Sequence, residues 1–306
     1  MKVAVFGAGG VGAYLGGRLA RAGADVHLIA RGEHLEALRS GGLRVESVAG
    51  DFEVDLPATD DPADVGPVDY VLFTVKAYDT ESGAAQLGPL IGEDTAVITF
   101  QNGVDNEAVI ADAVGREHVM GGVARIFSTI GEPGVVEHTG GPAEFVFGEL
   151  DGGRSERAER FLEACERATG VEPELSTDVQ VAIWEKAAFI CAQSGMTAAV
   201  RLPLGEIRSV PASWAMYRRV IEEVVAVGRA EGVDLPDDTT ERLVAFADGL
   251  EADVTSSLHY DMTNGKRMEV EALFGAVVRR AEDEGVDVPM NEAVYAILAP
   301  WAARNG

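Results

Sequence analysis

Apolar residues arrive first in short β-branched runs and later at helical spacing, and that change of period divides the chain. The run KVAVF (2–6) leads directly into glycines and then an apolar helical pattern over 10–22. DVHLIA (25–30) repeats the strand signal before a second helical pattern near 33–40. Strand, helix, strand in that order predicts a βαβ unit. Further strands are expected at YVLFTV (70–75), AVITF (96–100), VARIFSTI (123–130) and AEFVFGE (143–149), with helical stretches near 79–88 and 105–113. Continuous apolar runs suit a parallel sheet buried on both faces, whereas the later ones, set between Gly and Pro turns, suit an antiparallel addition. A helix over 154–170 and a short strand VEPEL (171–175) follow. Beyond them strand signals largely stop. Thr177 or Asp178 is placed to cap a first helix, and Pro203, Pro211, Pro236 and Pro289 punctuate the helices after it. The expected class is therefore α/β followed by an all-α region.

Composition narrows the function more than the fold. The 306 residues, 47% apolar and 25% charged, are a globular mix of a length that favours two domains. A net charge of −26 argues against nucleic acid or an anionic membrane as partner, because the long-range field repels both. Small anions can still bind at local positive patches. Cys165 and Cys191 are too few for a disulfide framework and read as reduced core thiols, and the five histidines show no metal-ligand spacing, so no metal is expected. The N-terminus enters a strand at once, without a signal-peptide pattern, and no apolar run approaches membrane-spanning length. The chain is read as soluble and cytoplasmic; a homodimer is allowed, not required.

The glycines after the first strand carry the first chemical signal. GAGGVG (7–12) fits G-x-G-x-x-G, with Gly7 for the tight turn, Gly9 for close approach of a pyrophosphate and Gly12 for helix–strand packing. Gly7, Ala8, Gly9, Gly10, Val11 and Gly12 are the expected cofactor contacts, at a helix N-terminus that offers N–H donors and a positive dipole end. Residues 1–175 thus read as a Rossmann-type dinucleotide-binding domain, and 176–306 as a helical domain for substrate and catalysis. An NAD site usually ends its second strand with an acid for the ribose 2′-hydroxyl; here Ala30 and Arg31 stand there. Arg31 can pair with a 2′-phosphate and stack on adenine, which points to NADP rather than NAD.

Lysine is scarce, four residues against twenty-one arginines, which draws notice to Lys76 and to Lys186 in the apolar helical run WEKAAFICAQSGMTAAV (184–200). An ammonium there must snorkel, pair, or face a cleft. Such a group can stabilise and protonate the alkoxide that forms when a carbonyl accepts hydride, and a nearby carboxylate would keep it charged against desolvation.

TVKAY (74–78), QNGVDNE (101–107), WEKAAF (184–189), LGEIRS (204–209), TSSLHYDMTNGKRMEVE (255–271) and GVDVPMN (285–291), in this order over the whole chain, resemble the ketopantoate reductase (2-dehydropantoate 2-reductase) family. The resemblance implies an NADP-dependent oxidoreductase reducing the 2-oxo acid 2-dehydropantoate to pantoate, in pantothenate and coenzyme A biosynthesis. It places the catalytic lysine on Lys186, its carboxylate partner on Glu269, and substrate contacts on Asn102, Ser257, Lys76 and Ser194. Lys76, Asn102 and Glu269 would also meet the cofactor. Two positions depart from the family, which commonly has asparagines four and eight residues beyond the catalytic lysine; here these are Ile190 and Ser194. The departure leaves open a related reductase with a less polar 2-oxo acid or ketone. A non-catalytic NADP-binding sensor is the alternative of another class, and it has no need of Lys186, Glu269 and Asn102 together. Each residue also has an ordinary reading: acids at 269, 271, 282 and 284 fit a solvated face, Asn102-Gly103 fits a turn, and Ser257 fits a helix cap.

Overall fold

A computed structural model describes residues 1–305. The chain gathers into two compact units, Met1–Gln101 with Asn106–Val179, and Asn102–Asp105 with the chain from Gln180 onward.

In the first unit β1 (Lys2–Phe6), α1 (Gly10–Arg21), β2 (Asp25–Ile29) and α2 (Gly32–Gly41) form the expected opening. Short strands β3 (Leu43–Ser47), β4 (Phe52–Val54) and β5 (Ala58–Thr59) precede β6 (Tyr70–Phe73), α3 (Thr80–Ala84), β7 (Ala96–Thr99) and α4 (Asn106–Val114). A long hairpin of β8 (Val119–Glu132) and β9 (Val135–Glu149), then α5 (Glu156–Glu166) and β10 (Glu172–Leu175), complete it. Strands β5, β2, β1, β6, β7 and β8 are joined by parallel pairings, and β9 runs antiparallel to β8. Beyond β9 lie β3, parallel to it, and β4, antiparallel to β3; β10 also pairs with β9. Every residue of β6 and β7 is buried, as apolar strands covered on both faces require.

Three details differ from the sequence expectation. The strand expected at 123–130 lies within β8 and that at 143–149 is the C-terminal part of β9, and the two belong to one much longer hairpin. LRVES and FEV, which alternate over only a few residues, become β3 and β4 because β9, some ninety residues later, supplies β3 with a partner. The helical stretch near 79–88 is α-helical only over Thr80–Ala84, since Gly88 and Pro89 draw the chain into a 3₁₀ turn at Gly88–Leu90.

The second unit is helical: α6 (Val179–Val200), α7 (Leu204–Ser209), α8 (Pro211–Ala230), α9 (Thr239–Asp248), α10 (Ser257–Thr263), a π-turn at Glu271–Gly275 continuing into α11 (Ala276–Glu284), and α12 (Pro289–Asn305). The stretch 191–198 of α6 is buried throughout. Trp184 packs where a side chain at Gly228 of α8 would stand, and Phe274 of the π-turn does the same at Gly195. Glu223 of α8 is buried, and its carboxylate accepts from the backbone N–H of Met290 and Asn291 and from Asn291 Nδ2, at 2.8–3.1 Å. A carboxylate on these first-turn donors favours the start of α12 both by hydrogen bonding and through the helix dipole.

Candidate active site

The glycine loop is built by close approach. Gly7 has φ +94°, a region that favours glycine, and a Cβ there would lie 2.7 Å from Val75 N. At Gly12 a Cβ would lie 2.1 Å from Thr74 Oγ1, so α1 can pack onto β1 and β6 only without one. Gly10 faces the hairpin, where the Ser128 carbonyl oxygen would be 2.4 Å from a Cβ. Gly9 is the contrast: its nearest neighbour on that side is the Gly7 carbonyl at 3.9 Å. Space is therefore open at the one glycine that should admit a pyrophosphate. Gly9 also caps α1 without any side-chain hydrogen bond, and the first turn contains no acid. The donor set fits a dianionic linker between two nucleotides.

Four side chains hold this loop or the strand ends beside it, and two of them are Thr74 and Gln101. Thr74 Oγ1 donates to the Gly7 carbonyl at 2.8 Å. Gln101 Nε2 donates to the Val75 carbonyl and to Thr80 Oγ1, both at 2.9 Å, joining the ends of β6 and β7. Half-buried His34 is the third: its Nε2 donates to the Ala8 carbonyl at 2.9 Å, and its Nδ1 accepts from the Gly134 N–H at 3.0 Å. Burial lowers the imidazole pKa, in keeping with this neutral form. Sequence reasoning passed over Thr74, Gln101 and His34; the T and Q of the TVKAY and QNGVDNE segments were the available signal for the first two.

Arg31, the fourth, stands immediately after β2 at the N-terminus of α2, with its side chain 81% exposed, and its guanidinium pairs with the Asp79 carboxylate. Exposed Lys76 begins the short turn that carries Asp79. Both cations of the first unit singled out from sequence thus border the segment 76–79 or contact it.

In the second unit Lys186 lies half-buried in α6, and Glu185 beside it turns outward to Arg242 of α9. Glu269 is only 7% exposed, whereas Glu271, Glu282 and Glu284 are exposed, so the acidic run is not a uniform solvated face. Two contacts set α6 against the segment after Glu269: Cys191 Sγ with the Leu273 carbonyl at 3.7 Å, and Gly195 with Phe274. Lys186 lies five residues before Cys191 on α6, and Glu269 four residues before Leu273. Ser194 is buried on α6, one turn beyond half-buried Ile190.

Asn102 is half-buried ahead of Gly103, whose φ of +108° makes the turn. Arg280 holds the rest of this segment, with Nε donating to Asp105 Oδ1 at 2.7 Å and Nη2 to the Val104 carbonyl at 3.2 Å. Ser257 is exposed at the first position of α10. The cap is its neighbour Ser256, whose Oγ accepts from His259 N at 3.1 Å. Cys165 and Cys191 are free and buried, with thiols pushed up by burial, the latter to about 12. Among the described residues no His, Cys, Asp and Glu cluster is arranged to hold a metal ion, and no helix is long and apolar enough to cross a membrane.

A Rossmann-type unit with an open phosphate loop, followed by a helical unit carrying a lysine and a buried carboxylate, defines a dinucleotide-dependent oxidoreductase. The family model for ketopantoate reductase PanE/ApbA matches residues 3–152, and the model for its C-terminal part matches 178–301. A 2-dehydropantoate 2-reductase of Halobacterium salinarum is 35% identical over 308 residues, and an uncharacterised oxidoreductase YkpB of Bacillus subtilis is 33% identical over 305, each covering 100% of both chains. The crystal structure of a PanE/ApbA family ketopantoate reductase from Ralstonia eutropha superposes with a TM-score of 0.91 at 36% identity, covering 100% of this chain and 99% of that one. This chain belongs to the ketopantoate reductase family, whose cofactor is a nicotinamide dinucleotide.

Proposed function

We propose that this protein reduces 2-dehydropantoate to pantoate with NADPH, as a step in pantothenate and coenzyme A biosynthesis. The observation that carries the reading is the half-buried Lys186 in the mostly apolar helix α6, together with the burial of Glu269 ahead of the segment that packs on that helix. When bound, the reduced nicotinamide supplies the hydride. Gly7 to Gly12 hold its pyrophosphate on the α1 N-terminus, and Arg31 takes the 2′-phosphate. The ammonium of Lys186 stabilises the negative charge that grows on the carbonyl oxygen as the new C–H bond forms, then gives that oxygen its proton; solvent reprotonates the amine. Glu269 keeps the lysine charged in a setting where desolvation alone would lower its pKa. Asn102, Ser257, Lys76 and Ser194 are assigned to the substrate's polar groups, with Lys76, Asn102 and Glu269 also meeting the cofactor.

Ile190 favours one second reading, a reductase of the same kind for a less polar 2-oxo acid. A site that hydrogen-bonds a substrate hydroxyl rejects analogues lacking it, and isoleucine cannot make that bond. Loss of reduced-nicotinamide absorbance against a panel of 2-oxo acids separates the two. Fastest turnover of 2-dehydropantoate is expected. Turnover of alkyl 2-oxo acids in its place supports the second reading, and no turnover of any member rejects both.

A further inference from the structure

We propose that His34 is a positioning residue for the dinucleotide: it sets the orientation of one peptide in the glycine loop and ties that loop to the turn of the β8–β9 hairpin. The inference rests on the reading that Gly7 to Gly12 bind the cofactor's pyrophosphate.

The Ala8 residue is held on both sides. Its N–H donates to the Ile29 carbonyl of β2 at 3.0 Å, beside the Gly7 N–H, which donates to the same oxygen at 3.1 Å. Its carbonyl accepts from His34 Nε2 at 2.9 Å. A carbonyl oxygen carries partial negative charge, and the Ala8–Gly9 peptide is planar, so drawing that oxygen toward α2 turns it away from the α1 N-terminus. There it would repel an arriving anion. The uncapped first turn of α1, next to the open space at Gly9, then presents its N–H groups without that oxygen among them.

The second ring nitrogen gives the imidazole its own support. Nδ1 accepts from the N–H of Gly134, whose carbonyl in turn accepts from Arg44 N of β3 at 3.0 Å. Gly10 meets the same hairpin at the Ser128 carbonyl. The loop is thereby fastened to the hairpin twice, once by steric fit and once through His34. One donor and one acceptor on a single ring are what a neutral imidazole offers, and no residue with a single polar terminal atom satisfies both partners.

Glutamine and asparagine separate the two bonds. The Gln amide nitrogen reaches about as far from the backbone as Nε2 and can donate to the Ala8 carbonyl; the Asn amide oxygen stands near the Nδ1 position and can accept from Gly134. Binding of NADPH and of NADH by calorimetry is measured for wild type, His34→Ala, His34→Gln and His34→Asn, with circular dichroism to check the fold and kcat at saturating nucleotide. His34→Ala and His34→Asn should raise Kd about tenfold, by the same factor for both nucleotides because the pyrophosphate is common to them, while kcat stays within about twofold. His34→Gln should recover most of the affinity. Unchanged Kd in folded His34→Ala and His34→Asn overturns the assignment, as does a His34→Gln variant as weak as His34→Ala, which would mark a packing role. A wild-type protein that binds neither nucleotide overturns the cofactor reading itself, a different outcome from wild-type binding that is indifferent to position 34.

Discussion

Arg31 and Asp79 show how one residue's role depends on what else its partner can bind. The exposed guanidinium is held by a carboxylate in this structure, and under the proposed function a 2′-phosphate has to compete for it. Arg31→Ala should weaken NADPH by about 1.5–3 kcal/mol, the scale of a charge-assisted bond, and leave NADH nearly unchanged. Asp79→Asn should act in the opposite direction. An exposed ion pair is worth about 0–1 kcal/mol, so NADPH should tighten by no more than about fivefold. Titration of both nucleotides against both variants checks the pair, and equal losses of NADPH and NADH in Arg31→Ala would show that Arg31 does not read the phosphate. At this scale the sequence was informative about local geometry, as with the place of Arg31 after β2 and the close packing at Gly7 and Gly12. It was silent where the role is set from far away. His34 depends on a turn a hundred residues later, and the burial of Glu269 could not be told from its exposed neighbours by spacing alone.

At the scale of elements, the long apolar strands and the helical second half were legible because their periods are strong. The hairpin extensions and β3 to β5 were not, since short alternating strands acquire their meaning from partners that only the fold supplies. One junction between elements is open to test. Glu149, at the end of β9, accepts from Arg157 Nε at 2.7 Å and Nη2 at 2.6 Å and from Ser155 Oγ, clamping the start of α5. Burial pushes the carboxyl pKa up, and the Arg157 and Ser155 bonds more than offset this, so it lies below the ordinary 4.5. A carboxylate pKa lowered by folding contributes stability above its unfolded value, and the contribution is lost as pH falls through the folded value. Glu149→Gln should therefore cost about 1–2 kcal/mol near neutral pH, reduced from the full value of two charge-assisted bonds by partial exposure. The deficit should shrink below about pH 4. Urea unfolding of both proteins at neutral and acid pH measures it; a constant deficit across that range would show that the charge of Glu149 is not what stabilises the junction.

For the whole molecule, the formal charge of −26 opposes the approach of the two anions of the proposed reaction, NADPH and a 2-oxo acid, while Arg31, Lys76 and Lys186 are local cations. The Debye length is about 30 Å at 0.01 M salt and about 3 Å at 1 M, so salt first screens the distant repulsion and only later the contact charges. The kcat/KM for the 2-oxo acid should rise from low to moderate salt, and the fold should be steadier there because its acidic surface repels itself less. A monotonic fall in kcat/KM from the lowest salt, with circular dichroism unchanged, would mean that the local cations dominate. Beneath these influences lies the proposed proton transfer from Lys186. Its direct test is the turnover of 2-dehydropantoate with NADPH by wild type and Lys186→Ala side by side, with NADPH affinity measured on both. Loss of kcat by about 10²–10⁴-fold with NADPH affinity nearly intact is expected, and retention of more than about a tenth of the wild-type kcat would remove Lys186 from the chemistry.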